Sequence, residues 1–256
     1  MNKPTICIVC SAAEKRVQAE KLARQTGLDL LDENSDAYEL QLRFDEDRVV
    51  LYDSALATAV HVDFAAGALA HRQQFGGGRG QAIARAVGLK HGNTPSVLDI
   101  TAGLARDAYI LASLGCSITL VEQSAVLYAM IDDGIQRGLA HIASANVLRN
   151  FSALVNVDSI AYMQQLERDS RPDVIYMDPM YPDRKKSARV KKDMQILQRL
   201  LGKDQSAELL LKTALECAVN RVVVKRPVHA DIIGGIRPDA SIGNKKTRFD
   251  VYLVKS

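Results

Sequence analysis

The chain has 256 residues, 47% of them hydrophobic and 25% charged, a balance that excludes a disordered or fibrous protein. No apolar run approaches the roughly 18 residues that span a bilayer, so no membrane partner is expected. The net charge of +3 at pH 7 is too small to define a partner alone, and the length suits a main domain carrying a smaller one.

The first part of the chain has a mixed pattern. Ile6-Cys7-Ile8-Val9 predicts a strand, and residues 12–26 predict a helix closed by Gly27, with Ser11-Ala-Ala-Glu14 as its capping box. Charge at Lys15 and Arg16 follows the apolar start too soon for an export signal. Residues 40–44 and 49–52 predict a hairpin around Asp45-Glu46-Asp47. A helical stretch with a glycine cluster, "AHRQQFGGGRGQAIARAVGLK", comes next.

From residue 96 the rhythm alternates. Strand 97–100 precedes a helix over 104–114 that stops at Gly115. Strand 117–122 precedes a helix capped by Ser124 and ended by Gly138. A weak strand at 146–151, a helix at 158–168 and a strand at 173–177 follow. Helices over 190–201 and 206–219 lead to strands at 221–225 and 248–254. This alternation predicts an α/β fold: a mainly parallel sheet with helices on both faces over residues 66–256, and a small N-terminal α+β subdomain over 1–65. Ligands of such sheets bind beyond the carboxyl ends of the strands.

Cys7, Cys10, Cys116 and Cys217 sit mostly in apolar segments and are expected to be buried, reduced thiols of a cytoplasmic protein. The five histidines are scattered without zinc spacing, so no metal is expected.

The strand ends carry the chemistry. The first reads "DITAGLARDA": Asp99 ends the strand, Gly103 lies in the turn, and Arg106 and Asp107 open the helix. The dinucleotide fingerprint G-x-G-x-x-G is absent, because Ala105 stands at the second glycine position. The second strand ends in Glu122, and an acid about 20 residues beyond the first turn can accept both hydroxyls of a ribose. "GGGRGQ" lacks the lysine and hydroxyl of a phosphate loop. A nucleoside cofactor without phosphate fits better, and S-adenosylmethionine is one. Arg106 could pair with its carboxylate, and Asp107 or Asp99 with its ammonium.

The fourth strand runs into "DPMY", which resembles the (Asp/Asn)-Pro-Pro-(Tyr/Phe) motif of class I methyltransferases that modify amino nitrogens; Met180 takes the place of the second proline. An exocyclic amine on a purine is a weak nucleophile because its lone pair is delocalised. Asp178 and the Pro179 carbonyl could hold its two N–H groups, and Tyr181 offers a face for the base. Cytosine C5 methylation would want a Pro-Cys nucleophile, and no cysteine here follows a proline. Residues 184–192 hold six basic side chains and no acid, a run that suits either a solvated surface or a phosphate backbone.

Together with "VDFAAGALAHRQQFGGGRGQAIARAVGLK", "LASLGCSITLVEQ", "YMDPMYPDRKKSARVKKDM", "RVVVKRP" and "RFDVYL", these stretches resemble the bacterial small-subunit ribosomal RNA methyltransferase J family. The resemblance implies a Rossmann-like class I methyltransferase sheet and transfer of methyl from S-adenosylmethionine to guanine N2 in 16S rRNA, free or in the 30S particle. It assigns cofactor contacts to Arg106, Asp107, Glu122, Gln123 and Asp178, and to a pair after the third strand that falls on Phe151 and Ser152. Gln123 stands where the family often has Arg, and Ala105 departs from the family's Gly-Leu-Gly-Arg-Asp turn. Arg184, Lys185, Lys186, Lys191 and Lys192 are the candidate RNA contacts; Arg79 could close over cofactor or RNA, or only serve a turn. Two rival readings stand beside this one: a protein glutamine amide methyltransferase, and a non-catalytic RNA-binding or assembly protein.

Overall fold

The computed structural model describes residues 4–65, 78–90, 92–180, 191–202, 207–243 and 247–254. Tyr181, Arg184, Lys185 and Lys186 lie outside the described residues.

Two sheets form. The first contains β1 (Ile6–Cys10), β2 (Leu30–Leu31), β3 (Leu40–Phe44), β4 (Val49–Asp53) and β5 (Thr58–Val60), in the order β2-β1-β3-β4-β5. The predicted hairpin is β3–β4, antiparallel with Leu40 opposite Asp53 and Phe44 opposite Val49. Helix α1 (Arg16–Thr26) ends where Gly27 turns left-handed at φ 70°. The expected capping box does not form. Ala12, not Ser11, stands at the N-cap of a 3-10 turn over Ala13–Lys15, with no side-chain cap. The Ala12 amide donates to the Phe44 carbonyl at 3.3 Å, which starts the turn one residue late.

The second sheet follows α2 (Ala82–Ala86). Its elements in chain order are β6 (Ser96–Asp99), α3 (Arg106–Ser113), β7 (Ser117–Val121), α4 (Ala125–Leu139), α5 (Ile142–Leu148), β8 (Phe151–Val155), α6 (Ser159–Gln165) and β9 (Val174–Met177). Then come α7 (Lys192–Leu201), α8 (Ala207–Cys217), β10 (Arg221–Pro227), β11 (Ala240–Gly243) and β12 (Thr247–Leu253). The strand order is β11-β12-β10-β9-β6-β7-β8. Strands β6 to β10 pair in parallel, while β12 runs antiparallel between β10 and β11. The chain steps outward from β6 through β7 to β8, then returns to lay β9 on the other side of β6. The switch in strand order therefore falls between β6 and β9, where an open α/β sheet binds its ligand.

Burial explains the strands. Every residue of Val174–Met177 is buried, as are Val222, Val223 and Val224, because helices cover both faces. Alternate side chains enter two apolar clusters. Leu98, Ile175, Met177, Val222 and Val224 pack with Met163, Leu210 and Leu211 from α6 and α8. Val97, Leu120, Tyr176 and Val223 pack on the opposite face with Tyr109, Leu127 and Ile131 from α3 and α4. That second cluster continues into Ile8, Leu40, Leu42 and Leu51 of the first sheet.

Two expectations are corrected. The helix after β7 does not end at Gly138 but runs to Leu139. Gly138 is needed for packing: a Cβ there would lie 2.6 Å from Leu148 Cδ1 and 3.4 Å from Phe64 Cβ. Residues 146–148 belong to helix α5, whose Ser144, Val147 and Leu148 turn inward at helical spacing, so the third strand begins at Phe151 instead of ending there.

Helix α7 ties the sheets together. Asp53 is fully buried at the end of β4 and accepts two bonds from Arg199 Nη1, at 2.6 and 2.8 Å. Its Oδ1 also accepts from the Leu56 amide at 3.0 Å. Arg199 Nη2 reaches Glu39 at 3.1 Å, and Lys192 Nζ donates to Thr58 Oγ1 at 3.2 Å. Removing one partner of a buried pair strands the other charge. Arg199→Met is expected to cost about 3–5 kcal/mol in urea unfolding, whereas Glu39→Gln, at a half-exposed carboxylate, is expected to cost less than about 1 kcal/mol.

Candidate active site at the strand ends

Backbone amides lace three strand ends together. Asp99 closes β6 with its side chain buried, and its Oδ1 accepts from the Thr101 amide at 3.0 Å. Thr101 Oγ1 in turn accepts from the Asp178 amide at 2.7 Å, and the Ile100 amide donates to the Tyr176 carbonyl at 3.0 Å. The loops after β6 and β9 are thus fixed side by side. On the other flank, Glu122 is buried just past β7. Its Oε2 accepts from the Gly103 amide and its Oε1 from the Ser124 amide, both at 2.8 Å. Each oxygen keeps acceptor capacity beyond the bond it makes.

The turn between β6 and α3 is left-handed at two points. Gly103 has φ 57°, and a Cβ there would meet nothing closer than Thr101 O at 3.7 Å, so space is open above it. Ala105 takes φ 53° at the N-cap of α3, a left-handed conformation that favours glycine. The turn keeps its shape with alanine there, at a steric cost on the order of 1 kcal/mol.

Two acids share one ammonium. In register, Val224 of β10 lies opposite Met177 of β9, so the next residue on each strand brings Lys225 beside Asp178. Lys225 Nζ donates to Asp178 Oδ2 at 2.8 Å and to Asp107 Oδ2 at 2.7 Å. Tyr176 Oη donates to the same Asp107 oxygen at 2.8 Å. Burial would lower the Lys225 pKa, but Asp178 and Asp107 outweigh it and raise it. Burial raises the Asp178 pKa; Lys225 opposes and Asp107 adds to it. The Asp178 side chain is still 41% exposed. Asp99 is pushed up to about 8, first by burial and then by Asp107, Asp178 and Glu122, against the Thr101 amide. Burial also raises Glu122, opposed by its two amide bonds.

The remaining candidates divide. Arg106 Nη2 bonds Asp193 in the first turn of α7 at 2.7 Å, with the two side chains 42% and 36% exposed. Pro179 is buried, and Gln123 is exposed at the rim. Lys191 and Lys192 are exposed at the start of α7, with Lys192 directed to the first sheet. Phe151 and Ser152 do not join the cluster. They open β8 at the amino end of the sheet, where Phe151 packs edge-on against Phe64 and Ser152 Oγ sits 2.6 Å from Ser117 Oγ. The misplacement follows from reading α5 as strand. The loop that reaches the cleft from β8 is residues 156–159. There Asn156 Nδ2 donates to the Glu122 carbonyl at 2.7 Å, Asp158 caps α6, and Ser159 Oγ donates to the Ile100 carbonyl at 2.7 Å. Lys225 is legible in sequence only as a basic residue at a strand end; Thr101 and Asn156 carry no sequence signal that separates them from other polar loop residues.

This donor set suits a cation that also presents hydroxyls. Asp107, Glu122 and Asp178 gather here around one lysine that pairs with two of them, beside a buried Asp99 that holds its proton, an excess of acids over bases that would repel a phosphate and attract a sulfonium and an ammonium. The sheet order, the ligand-binding switch point and this acid-lined cleft define a class I S-adenosylmethionine-dependent methyltransferase. A family model described as "Putative SAM-dependent methyltransferase" matches residues 21–254. The chain is 48% identical over 221 residues to a ribosomal RNA small subunit methyltransferase J from Shewanella amazonensis, covering 86% of this chain and 88% of that one. It is 44% identical over 251 residues to the protein of the same name from Photobacterium profundum, covering 97% of each. The crystal structure of a SAM-dependent methyltransferase from Neisseria gonorrhoeae superposes with a TM-score of 0.77 at 31% identity, covering 98% of this chain and 97% of that one. The chain belongs to the ribosomal RNA small subunit methyltransferase J family.

Asp99 supplies a stability test. Its folded pKa lies above the unfolded carboxyl value, so the folded state holds a proton that the unfolded state releases. Its contribution is complete below about pH 4 and is lost as pH rises towards about 8. Asp99→Asn keeps an acceptor for the Thr101 amide and removes that loss. Relative to wild type, the variant is expected to gain roughly 1 kcal/mol per pH unit across that window, measured by urea unfolding of cofactor-free protein.

Proposed function

We propose that this enzyme transfers a methyl group from S-adenosylmethionine to the N2 amine of one guanosine in 16S ribosomal RNA, in the cytoplasm, on free RNA or on the 30S particle. The observation that carries the reading is the position of Asp178, its amide bonded at 2.7 Å to Thr101, two residues before the Gly103 that Glu122 binds, and its carboxylate bonded to Lys225 at 2.8 Å. The names borne by relatives at 44–48% identity supply the substrate class. They favour neither a glutamine amide methyltransferase nor a non-catalytic assembly protein. The division into an N-terminal subdomain over 1–65 and a methyltransferase domain over 66–256 is part of this reading.

When bound, S-adenosylmethionine would supply an electrophilic methyl whose bond to the positively charged sulfur breaks in the transfer, with a neutral thioether as the leaving group. Glu122 accepts from the ribose hydroxyls, using the acceptor capacity its two amide bonds leave. Asp107 attracts the ammonium, whose charge would favour ionisation of the neighbouring Asp99, and Arg106, released from Asp193, takes the carboxylate. Gln123 and the loop at 156–159, in place of Phe151 and Ser152, line the adenosine side. Asp178 and the Pro179 carbonyl accept the two N–H bonds of the guanine amine and turn its lone pair outward. Tyr181 stacks on the base. The nitrogen that gains a carbon bond sheds one proton, which the Asp178 carboxylate accepts. Arg184, Lys185, Lys186, Lys191 and Lys192 contact the RNA backbone.

Asp178→Asn is expected to lower single-turnover methylation about 100-fold or more while calorimetry still detects cofactor binding; wild-type rates would remove Asp178 from the mechanism. Mass mapping of 16S rRNA from cells lacking the protein is expected to miss one N2-methylguanosine, and an unaltered map would refute the substrate. Neutralising the five basic residues together is expected to flatten the log–log salt dependence of RNA affinity by about 0.7–0.9 for every phosphate no longer neutralised.

A further inference from the structure

Lys225 is a residue at the cleft that touches two acids at once, and nothing in the reading above gives it a task. It projects from β10, and its register against β9 fixes it beside Asp178. Its side chain is 29% exposed, against 41% for Asp178 and 11% for Asp107. The ammonium bonds only one of the two Asp178 oxygens, Oδ2, and no other bond to the Asp178 carboxylate is formed among the described residues. Oδ1 therefore keeps its acceptor capacity.

We propose that Lys225 is the positioning residue for methyl transfer: it grips Asp178 by Oδ2 and leaves Oδ1 to accept from the amine being methylated. This rests on the assignment of Asp178 above. Three physical consequences follow. The carboxylate is held in one orientation, because its backbone amide is anchored on Thr101 and its side chain on Lys225. The charged form of the acceptor is favoured by Lys225 in a place where charge is disfavoured. Asp107 from α3 and Asp99 from β6 face the same cleft, Glu122 lies beyond them, and the hydroxyl of Tyr176 from β9 closes on Asp107. Lys225 is the only cation bonded to Asp178 among the described residues, and it is what draws the Asp178 pKa down against burial. The grip on Asp107 makes the device shared: the same ammonium spaces the acid assigned to the cofactor from the acid assigned to the base.

The test uses the full chain with Lys225→Met and Lys225→Arg. Carbon-13 carboxyl NMR of cofactor-free protein, with the Asp178 signal assigned through Asp178→Asn, reads the Asp178 midpoint without any reaction. Single-turnover methylation of unmodified 30S particles reads the acid limb of the rate. Lys225→Met is expected to raise the Asp178 midpoint by about one pH unit or more and to move the acid limb upward equally. Its rate at pH 7 is expected to fall about tenfold or more, while Lys225→Arg stays within about threefold of wild type on every readout. A folded Lys225→Met with an unmoved midpoint and an unshifted acid limb would overturn the proposal, even if its rate fell, since that pattern belongs to packing alone. Equal losses in Met and Arg variants without a pH shift would overturn it too. If the Met variant melts early, Lys225→Gln carries the same comparison. Failure of the Asp178 assignment has a different signature: Asp178→Asn would methylate at the wild-type rate while the Lys225-dependent midpoint remained.

Discussion

Glu122 takes the Gly103 amide on one oxygen and the Ser124 amide on the other. That one buried carboxylate joins the turn after β6 to the turn after β7, and both N–H donors come from helix approaches that would otherwise need water. Burial raises its pKa and the two bonds oppose that rise, so its charged form is favoured more than an unpaired acid's would be in the same position. The neighbouring lacing from Asp99 through Thr101 to Asp178 does the same between β6 and β9. A cleft built this way has few loose parts. Among the described residues its shape depends on strand register and backbone bonds.

Arg106 departs from that pattern. It reaches across to Asp193 on α7, and α7 is also the element that Arg199 and Lys192 fasten to the first sheet. The N-terminal sheet therefore braces the helix that stands next to the cofactor turn. Under the proposed assignment, a ligand carboxylate that takes Arg106 must displace Asp193, so cofactor binding would act directly on α7. The first sheet and the second share an apolar cluster, so this brace is stiff.

Much of the architecture is legible because buried parallel strands read as unbroken apolar runs. "VIYM" and "RVVVK" announce themselves, and the acids that close such runs stand out because nothing nearby neutralises them in sequence, as at Asp99, Glu122 and Asp178. The short elements are not legible. Strands β2 and β5 span two and three residues, too little for a period to register, and β11 (ASIG) has four but is mostly exposed and carries no apolar run. Helix α5 passes for a strand because its inward residues fall close to the true strand, and that error carries Phe151 and Ser152 to the wrong end of the sheet. Meetings between distant segments are equally hidden. Lys225 reaches Asp178, and Arg106 reaches Asp193, through register and helix docking that no local pattern reports.

The antiparallel insertion of β12 has a bearing on how the chain acquires its shape as it is made. Seven residues of β12 pair with seven of β10, and β11 pairs only with β12. Until residues 247–253 leave the ribosome, β10 presents an unfilled edge and β11 has nowhere to dock. The strand that bears Lys225 is thus completed only after nearly all the preceding segments have emerged. A chain ending before that point would leave the backbone groups of β10 unpaired along the side that β12 covers.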